Sequence, residues 1–315
     1  MDFFKPVIVF FKRKSPVLGV MGRIVALLML SLILSIPLYA AENTESIVEV
    51  RGGGSVLFEH VTGVWCEVCA DHEPWVAAMV ESNGERLIRV DLHDVIEDPL
   101  GNEAATHRRM RLNHTMPFPT YHLDGHAETT SSTSRGELQM SLLAAESARK
   151  THEVIEATIE LDDIGGVVTV EVADPIQTEG TQLTLLLLDT SVTITSAEAT
   201  NGLLVHSAVL QSVMSIEMNG NKTIKPFSWG SVEMSPGQGL NAVFEFDWPD
   251  GINADTVTLV VVHEHVEVGD DPATLSALSW AIDDPSEEVE RFGWMVMILF
   301  GCAIVMLFLR SRNSF

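Results

Sequence analysis

The chain holds three cysteines, and two of them stand at redox spacing in Trp65-Cys66-Glu67-Val68-Cys69. The pair follows a short apolar run (residues 56–60) and opens a stretch of helical spacing (70–81). A sulfur at such a place faces unpaired backbone N–H groups and the positive end of the helix dipole. Both favour thiolate over thiol, so Cys66 is expected to ionise below the ordinary cysteine range. Cys69, one turn on and on the same face, can close a disulfide with it. Half of a zinc site has the same spacing, but no second pair completes one, because the third cysteine, Cys302, lies in an apolar run.

Further residues sharpen the pattern. Pro74 falls inside the helical stretch, where it should kink the helix. Met116-Pro117-Phe118-Pro119-Thr120 then leads into a short strand and the turn Asp124-Gly125. If cis, a proline starting that strand would bring its backbone beside the dithiol. A disulfide closing so short a loop removes little chain entropy, which favours a redox role over a structural one.

With these motifs in order, residues 56–149 resemble the thioredoxin family. That resemblance implies an exposed nucleophile at Cys66 and a buried resolving thiol at Cys69, paired as a disulfide in the oxidised form. It also implies a cis Pro119, with Trp65, Phe118, Pro119 and Thr120 meeting a substrate chain. Two features depart from the family. Where members often carry a buried acid or amide, six residues before the first cysteine, this chain has His60 with Glu59 beside it. The segment 94–115 is longer than in compact members and could form a lid or partner surface. Glu67 sets a carboxylate beside the thiolate and opposes its charge, which points to a reductant rather than a strong oxidant.

The elements that must position this chemistry run β-α-β-α-β-(β)-α: strands at 56–60, 86–92 and 120–123, helices at 70–81, 102–111 and 136–150. After residue 152 the character changes to about seven Val/Ile/Leu/Thr-rich strands (153–161, 167–173, 182–189, 203–214, 223–234, 240–247, 256–266). They are separated by turn signals such as Gly165-Gly166 and Asp174-Pro175. The expected fold class is an α/β thioredoxin-like domain followed by an all-β immunoglobulin-like sandwich, with a C-terminal transmembrane helix. The predicted layout is a signal peptide or anchor at 1–41, the thioredoxin-like domain at 42–150 and the sandwich at 151–268. An acidic stalk at 269–291, a membrane helix at 292–309 and a cytoplasmic tip at 310–315 complete it.

Charge and termini place the chain. Nineteen Lys+Arg against 44 Asp+Glu give −25, and all but one of the acids lie between residues 42 and 290. Such a field repels phosphate backbones, so nucleic acid is not an expected partner. Residues 24–38 form an apolar run behind Lys12, Arg13, Lys14 and Arg23, with Ala40 near a cleavage point. The uncharged run 292–309 reaches about 27 Å as a helix, near the ~30 Å of a hydrocarbon core. Arg310 and Arg312 put its end inside and the acidic bulk outside.

The expectation is therefore a single-pass cell-membrane protein, its bulk extracytoplasmic, that exchanges electrons with protein thiols and disulfides. It is held by its own helix, needs no bound cofactor and draws on a membrane electron-transfer partner that the sequence does not name. Alternatives from other classes are a surface binding or adhesion protein with a structural disulfide, and a copper carrier. Seven histidines (His60, His72, His93, His107, His114, His122, His126) lie in the α/β region and could join the cysteines around a metal. Most are expected to be solvated, with His72, a turn after Cys69, the leading exception. His263 and His265 share one strand face without a third ligand. Asn113-His114-Thr115 and Asn221-Lys222-Thr223 are acceptor sequons.

Overall fold

The structure, a computed structural model, describes residues 46–113, 117–129, 134–149, 153–218, 223–224, 230–234, 239–249, 251–267 and 273–282. Strand β1 (Ser46–Gly52) precedes β2 (Val56–Thr62), helix α1 (Glu67–Asn83) and β3 (Leu87–His93). Helix α2 (Glu103–Arg111), β4 (Thr120–Leu123), β5 (His126–Thr129) and α3 (Arg135–Ala148) complete the α/β region. Strands β2 and β3 pair in parallel and are buried over their full length, as a strand covered on both faces must be. Strand β4 runs antiparallel to β2. It turns into β5 through Asp124 (φ 52°) and Gly125 (φ 90°), the left-handed pair that a tight hairpin requires. Ser134 and Glu137 close a reciprocal cap on α3. Val76 and Met79 of α1 pack with Leu138 and Leu142 of α3 over Val56, Phe58 and Tyr121. Ala104 and Ala105 of α2 join Leu57, Val90 and Leu92 in a second cluster.

The β region follows: β6 (Ile155–Leu161), β7 (Gly165–Val172), β8 (Thr181–Asp189), β9 (Val192–Thr193), β10 (Val205–His206) and β11 (Val209–Glu217). Then come β12 (Thr223–Ile224), β13 (Gly230–Met234), β14 (Leu240–Asp247), β15 (Val257–His265) and β16 (Thr274–Ala281). One sheet has the order β1-β6-β7-β14-β13. The other runs β16-β15-β8-β11 and continues through β3, β2, β4 and β5, with β12 on β11. Ile155, Ile159, Val168, Val170 and Phe244 of the first sheet meet Leu183, Leu185, Leu187, Leu259 and Val261 of the second. An α/β region is thus followed by facing antiparallel β-sheets, a thioredoxin-like plus β-sandwich arrangement.

The two regions share a sheet as well as a chain. Strand β11 joins β3 in parallel at Val209 and Asp91, and the Asp91 N–H donates to the Ala208 carbonyl at 2.8 Å. Leu186, Leu188, Leu210, Val213, Val260 and Val262 pack into the same cluster as Leu57 and Leu92. Strand β1, from the N-terminal side of the α/β region, pairs with β6 in the opposite sheet.

The expected stalk at 269–291 needs correction in its middle. Thr274–Ala281 is strand β16, paired with β15, and Thr274, Ser276 and Ala277 are fully buried. Flanking acids mask a short segment whose backbone pairs with β15. No helix among the described residues is long and apolar enough to cross a membrane. The runs at 1–41 and 292–309, and the Asn221 sequon, lie outside the described residues.

Candidate functional site

The chain leaves β2 at Thr62 and turns sharply, the Cys66 N–H donating to Gly63 O at 3.0 Å. Cys66 is the N-cap of α1, in extended geometry, and its Sγ accepts the Cys69 N–H at 3.1 Å. A backbone donor and the positive helix end therefore address the sulfur, as the spacing predicts. Cys66, expected as an exposed nucleophile, is instead covered nearly as fully as Cys69, at 6% and 2% exposure, because its sulfur is tied into the Cys66–Cys69 disulfide and turned onto the Cys69 N–H. Trp65 stands out of this turn at 40% exposure. A Cβ on Gly63 would come within 3.0 Å of its indole, so glycine lets the ring lie down there.

The Phe118–Pro119 bond is cis. Phe118, half-buried, packs on Trp65 with ring centroids 4.8 Å apart, and the Arg109 guanidinium sits 5.2 Å from the Phe118 centroid. Pro119 and Thr120 are buried, and the Thr120 hydroxyl donates to Pro117 O at 2.6 Å. Trp65 and Phe118 are thus the solvent-facing members of the expected rim. Residues 94–110 of the long segment supply the next wall. Asp94 holds Arg109 at 2.9 Å, and a cavity of about 240 Å³ opens between Asp94, Val95, Thr106, Arg109 and Met110. Val95, Ile96 and Met110 are exposed apolar residues on this side.

Between β2, β3, β4 and α1 lies a buried polar chain that the sequence does not announce. His60 Nδ1 is 3.3 Å from Asp91, and Arg89 makes paired bonds to Asp91 and to Glu73 at 2.6–2.8 Å. Burial works against ionised Asp91, but the adjacent Arg89 and His60 hold its carboxyl well below the usual range. Tyr121 stacks on His60 and bonds His72 Nδ1 at 2.8 Å. Burial pushes the Tyr121 phenol up and the His72 imidazole down, His60 adding to the latter. Ligand-type atoms of His60, Glu73 and Asp91 lie within 4.8 Å of one another. Arg89 already neutralises both carboxylates, so a cation there would compete with a guanidinium in bidentate contact.

The expected solvation of the α/β-region histidines fails at three of the six described, while His72, His107 and His126 are half-buried. His60, His93 and His122 are buried, as are His206, His263 and His265 of the β region. Each imidazole offers an apolar body and a hydrogen-bonding edge, so partners far along the chain decide its burial. His93 pairs with Asp98 at 2.9 Å, and His263 contacts Glu153 and Thr181. Sequence reasoning also missed Arg108. It is fully buried and joins Glu59 of β2 to Glu264 of β15, both at 2.8 Å. Burial alone would raise Glu264, yet Arg108 and Arg111 bring it down to about 2.

A third missed feature comes from residues 194–204, more than 130 positions downstream. Asn201 donates its side-chain amide to Gly63 O and Cys66 O, each at 3.2 Å, and its backbone N–H to Val64 O at 2.9 Å. Thr200 Oγ1 adds a bond to Val64 O at 3.3 Å.

No family model matches the chain, and no curated protein matches it. Among solved structures, HBP35 of Porphyromonas gingivalis is similar in fold, with TM-score 0.54 and 14% identity over 72% of this chain and 75% of that one. Protein AGR_C_4864 from Agrobacterium tumefaciens gives TM-score 0.50 and 11% identity over 73% of this chain and 95% of the other. At such identities the likeness concerns the fold alone. Because it spans nearly three quarters of this chain, it takes in both the α/β and the β region.

Proposed function

We propose that this protein is a membrane-anchored, extracytoplasmic thiol–disulfide oxidoreductase that reduces protein disulfides through Cys66 and Cys69. The observation that carries this is a cysteine disulfide at a helix N-terminus, preceded by Trp65, on which Phe118 of a cis Phe118–Pro119 pair packs. The Cys66 thiolate attacks one sulfur of a substrate disulfide. That S–S bond breaks, a Cys66–substrate bond forms, and the first substrate sulfur leaves as a thiolate that takes a proton from water. Cys69 then gives up its proton and attacks Cys66 Sγ, expelling the second substrate thiol and restoring the Cys66–Cys69 disulfide. Two electrons pass to the substrate, and a dithiol donor at the membrane returns them.

The reducing direction rests on Glu67, exposed in the first turn of α1 next to the nucleophile, which raises the cost of the dithiolate. Trp65, Phe118 and the cavity beyond Arg109 receive an extended apolar segment around the target cysteine. Anchoring by residues 292–309 holds the site outside the membrane.

The test is reduction of insulin disulfides by the full chain in detergent, with dithiothreitol as donor. Cys66→Ser is expected to abolish the acceleration, and Cys69→Ser to accumulate mixed disulfides instead. Equal and full activity in both variants would refute the mechanism.

A further inference from the structure

We propose that residues 194–204 of the β region are a built-in brace of the dithiol site, with Asn201 as the positioning residue for Cys66. This rests on the redox reading of Cys66–Cys69 and adds what the β region does for it. The brace is stiff in its own right. Ile194 N–H donates to Leu204 O at 2.9 Å, Glu198 accepts from the Thr195 N–H and hydroxyl, and β9 pairs with β10. Asn201 Oδ1 accepts the Leu203 N–H at 3.0 Å, which fixes the carboxamide with its NH2 group towards Gly63 and Cys66.

On the dithiol side, the brace and its surroundings hold four backbone groups of the turn. Gly63, Val64 and Cys66 carbonyls accept from Asn201, and the Val64 N–H donates to Asp98 Oδ2 at 3.0 Å. Asp98 is held by His93, whose ring meets His206 of β10 edge-on at 5.1 Å, so the β region supports that contact too.

The electrostatic effect has a definite sign. The Cys66 carbonyl oxygen is the negative end of a peptide dipole close to its own sulfur. An amide N–H bonded to that oxygen offsets some of the negative potential felt by a thiolate, and so favours the reduced couple. Losing the donor should move the equilibrium towards disulfide and make the protein a stronger reductant. Because a merely structural contact stabilises oxidised and reduced forms alike, it would leave the equilibrium constant where it is.

The experiment measures the Cys66–Cys69 equilibrium with glutathione by alkylation trapping on the full chain, with thermal melting as the check on folding. Asn201→Ala should shift the constant about threefold to tenfold towards disulfide, the net weight of one hydrogen bond. Asn201→Asp keeps the acceptor for Leu203 but turns an unprotonated oxygen on two carbonyls, so it should shift further the same way. Thr200→Val removes only the longer bond to Val64 and should fold even if the others do not, with a smaller shift of the same sign. Folded variants with an unmoved constant would overturn the brace. A wild-type disulfide that no glutathione ratio opens would instead overturn the redox reading itself.

Discussion

Cys66 owes its character to one position, the N-cap of α1, where its sulfur accepts a backbone N–H and meets the dipole of the helix that follows. Phe118 packs on the neighbouring Trp65 indole and carries the Arg109 guanidinium over its ring, so it links the Trp65 side of the site to α2. Truncating it to alanine should lower the rate on a protein disulfide by about tenfold, a contact worth ~1.4 kcal/mol. The rate of reduction of the enzyme by a small dithiol should not move, since that reaction needs the sulfur and not the rim. Stopped-flow traces of the two half-reactions separate these. His122 makes a different prediction. Burial brings its imidazole down to about 4 from an ordinary 6.5, so it stays neutral in the folded protein. The unfolded chain takes up that proton below 6.5. Its contribution to stability is therefore intact above pH 6.5 and is lost as pH falls towards 4, by up to about 3 kcal/mol. His122→Asn should lose less of its melting temperature than wild type between pH 7 and pH 4; an equal or steeper loss would contradict the assignment.

At the scale of elements, α2 ties the two regions together. Arg108 leaves it to bond Glu59 on β2 and Glu264 on β15, all three side chains being buried. A buried ion pair adds little over apolar packing, but breaking one from a single side leaves an uncompensated charge. Arg108→Ala strands Glu59 and leaves Glu264 to Arg111, Gln182 and Thr184, and should cost about 3–5 kcal/mol. Arg108→Met combined with Glu59→Leu, which keeps Glu264 for Arg111, should recover most of that in urea denaturation. These elements also show what the sequence makes legible. The cysteine turn, α1 with Pro74 and the Asp124-Gly125 hairpin could be read because local chemistry dictates each of them, whereas the cis proline followed from the family resemblance. Strand β11 could be seen as a strand, but its parallel contact with β3 could not, since nothing local in residues 209–217 selects a neighbour. Arg108 and the histidines look like surface residues in sequence, because their burial depends on partners such as Glu264 that lie far away. Strand β16 was hidden by the acids around it.

Across the whole molecule, a sheet that passes from β16 through β11 and β3 to β5 joins the dithiol turn and the β region into a single mechanical body. Asn201 is the point at which that continuity touches the chemistry. The charge of −25 surrounds this body with a field that disfavours acidic visitors and leaves apolar and basic segments as natural callers at Trp65 and Phe118. The central claim is that Cys66 and Cys69 cycle while the fold stays intact. Mass-tag alkylation of the native full chain across a series of dithiothreitol ratios measures this most directly. The account predicts a reversible two-electron opening, with Cys66 tagged faster than Cys69 and the melting transition retained. A disulfide that opens only after the protein unfolds would contradict it.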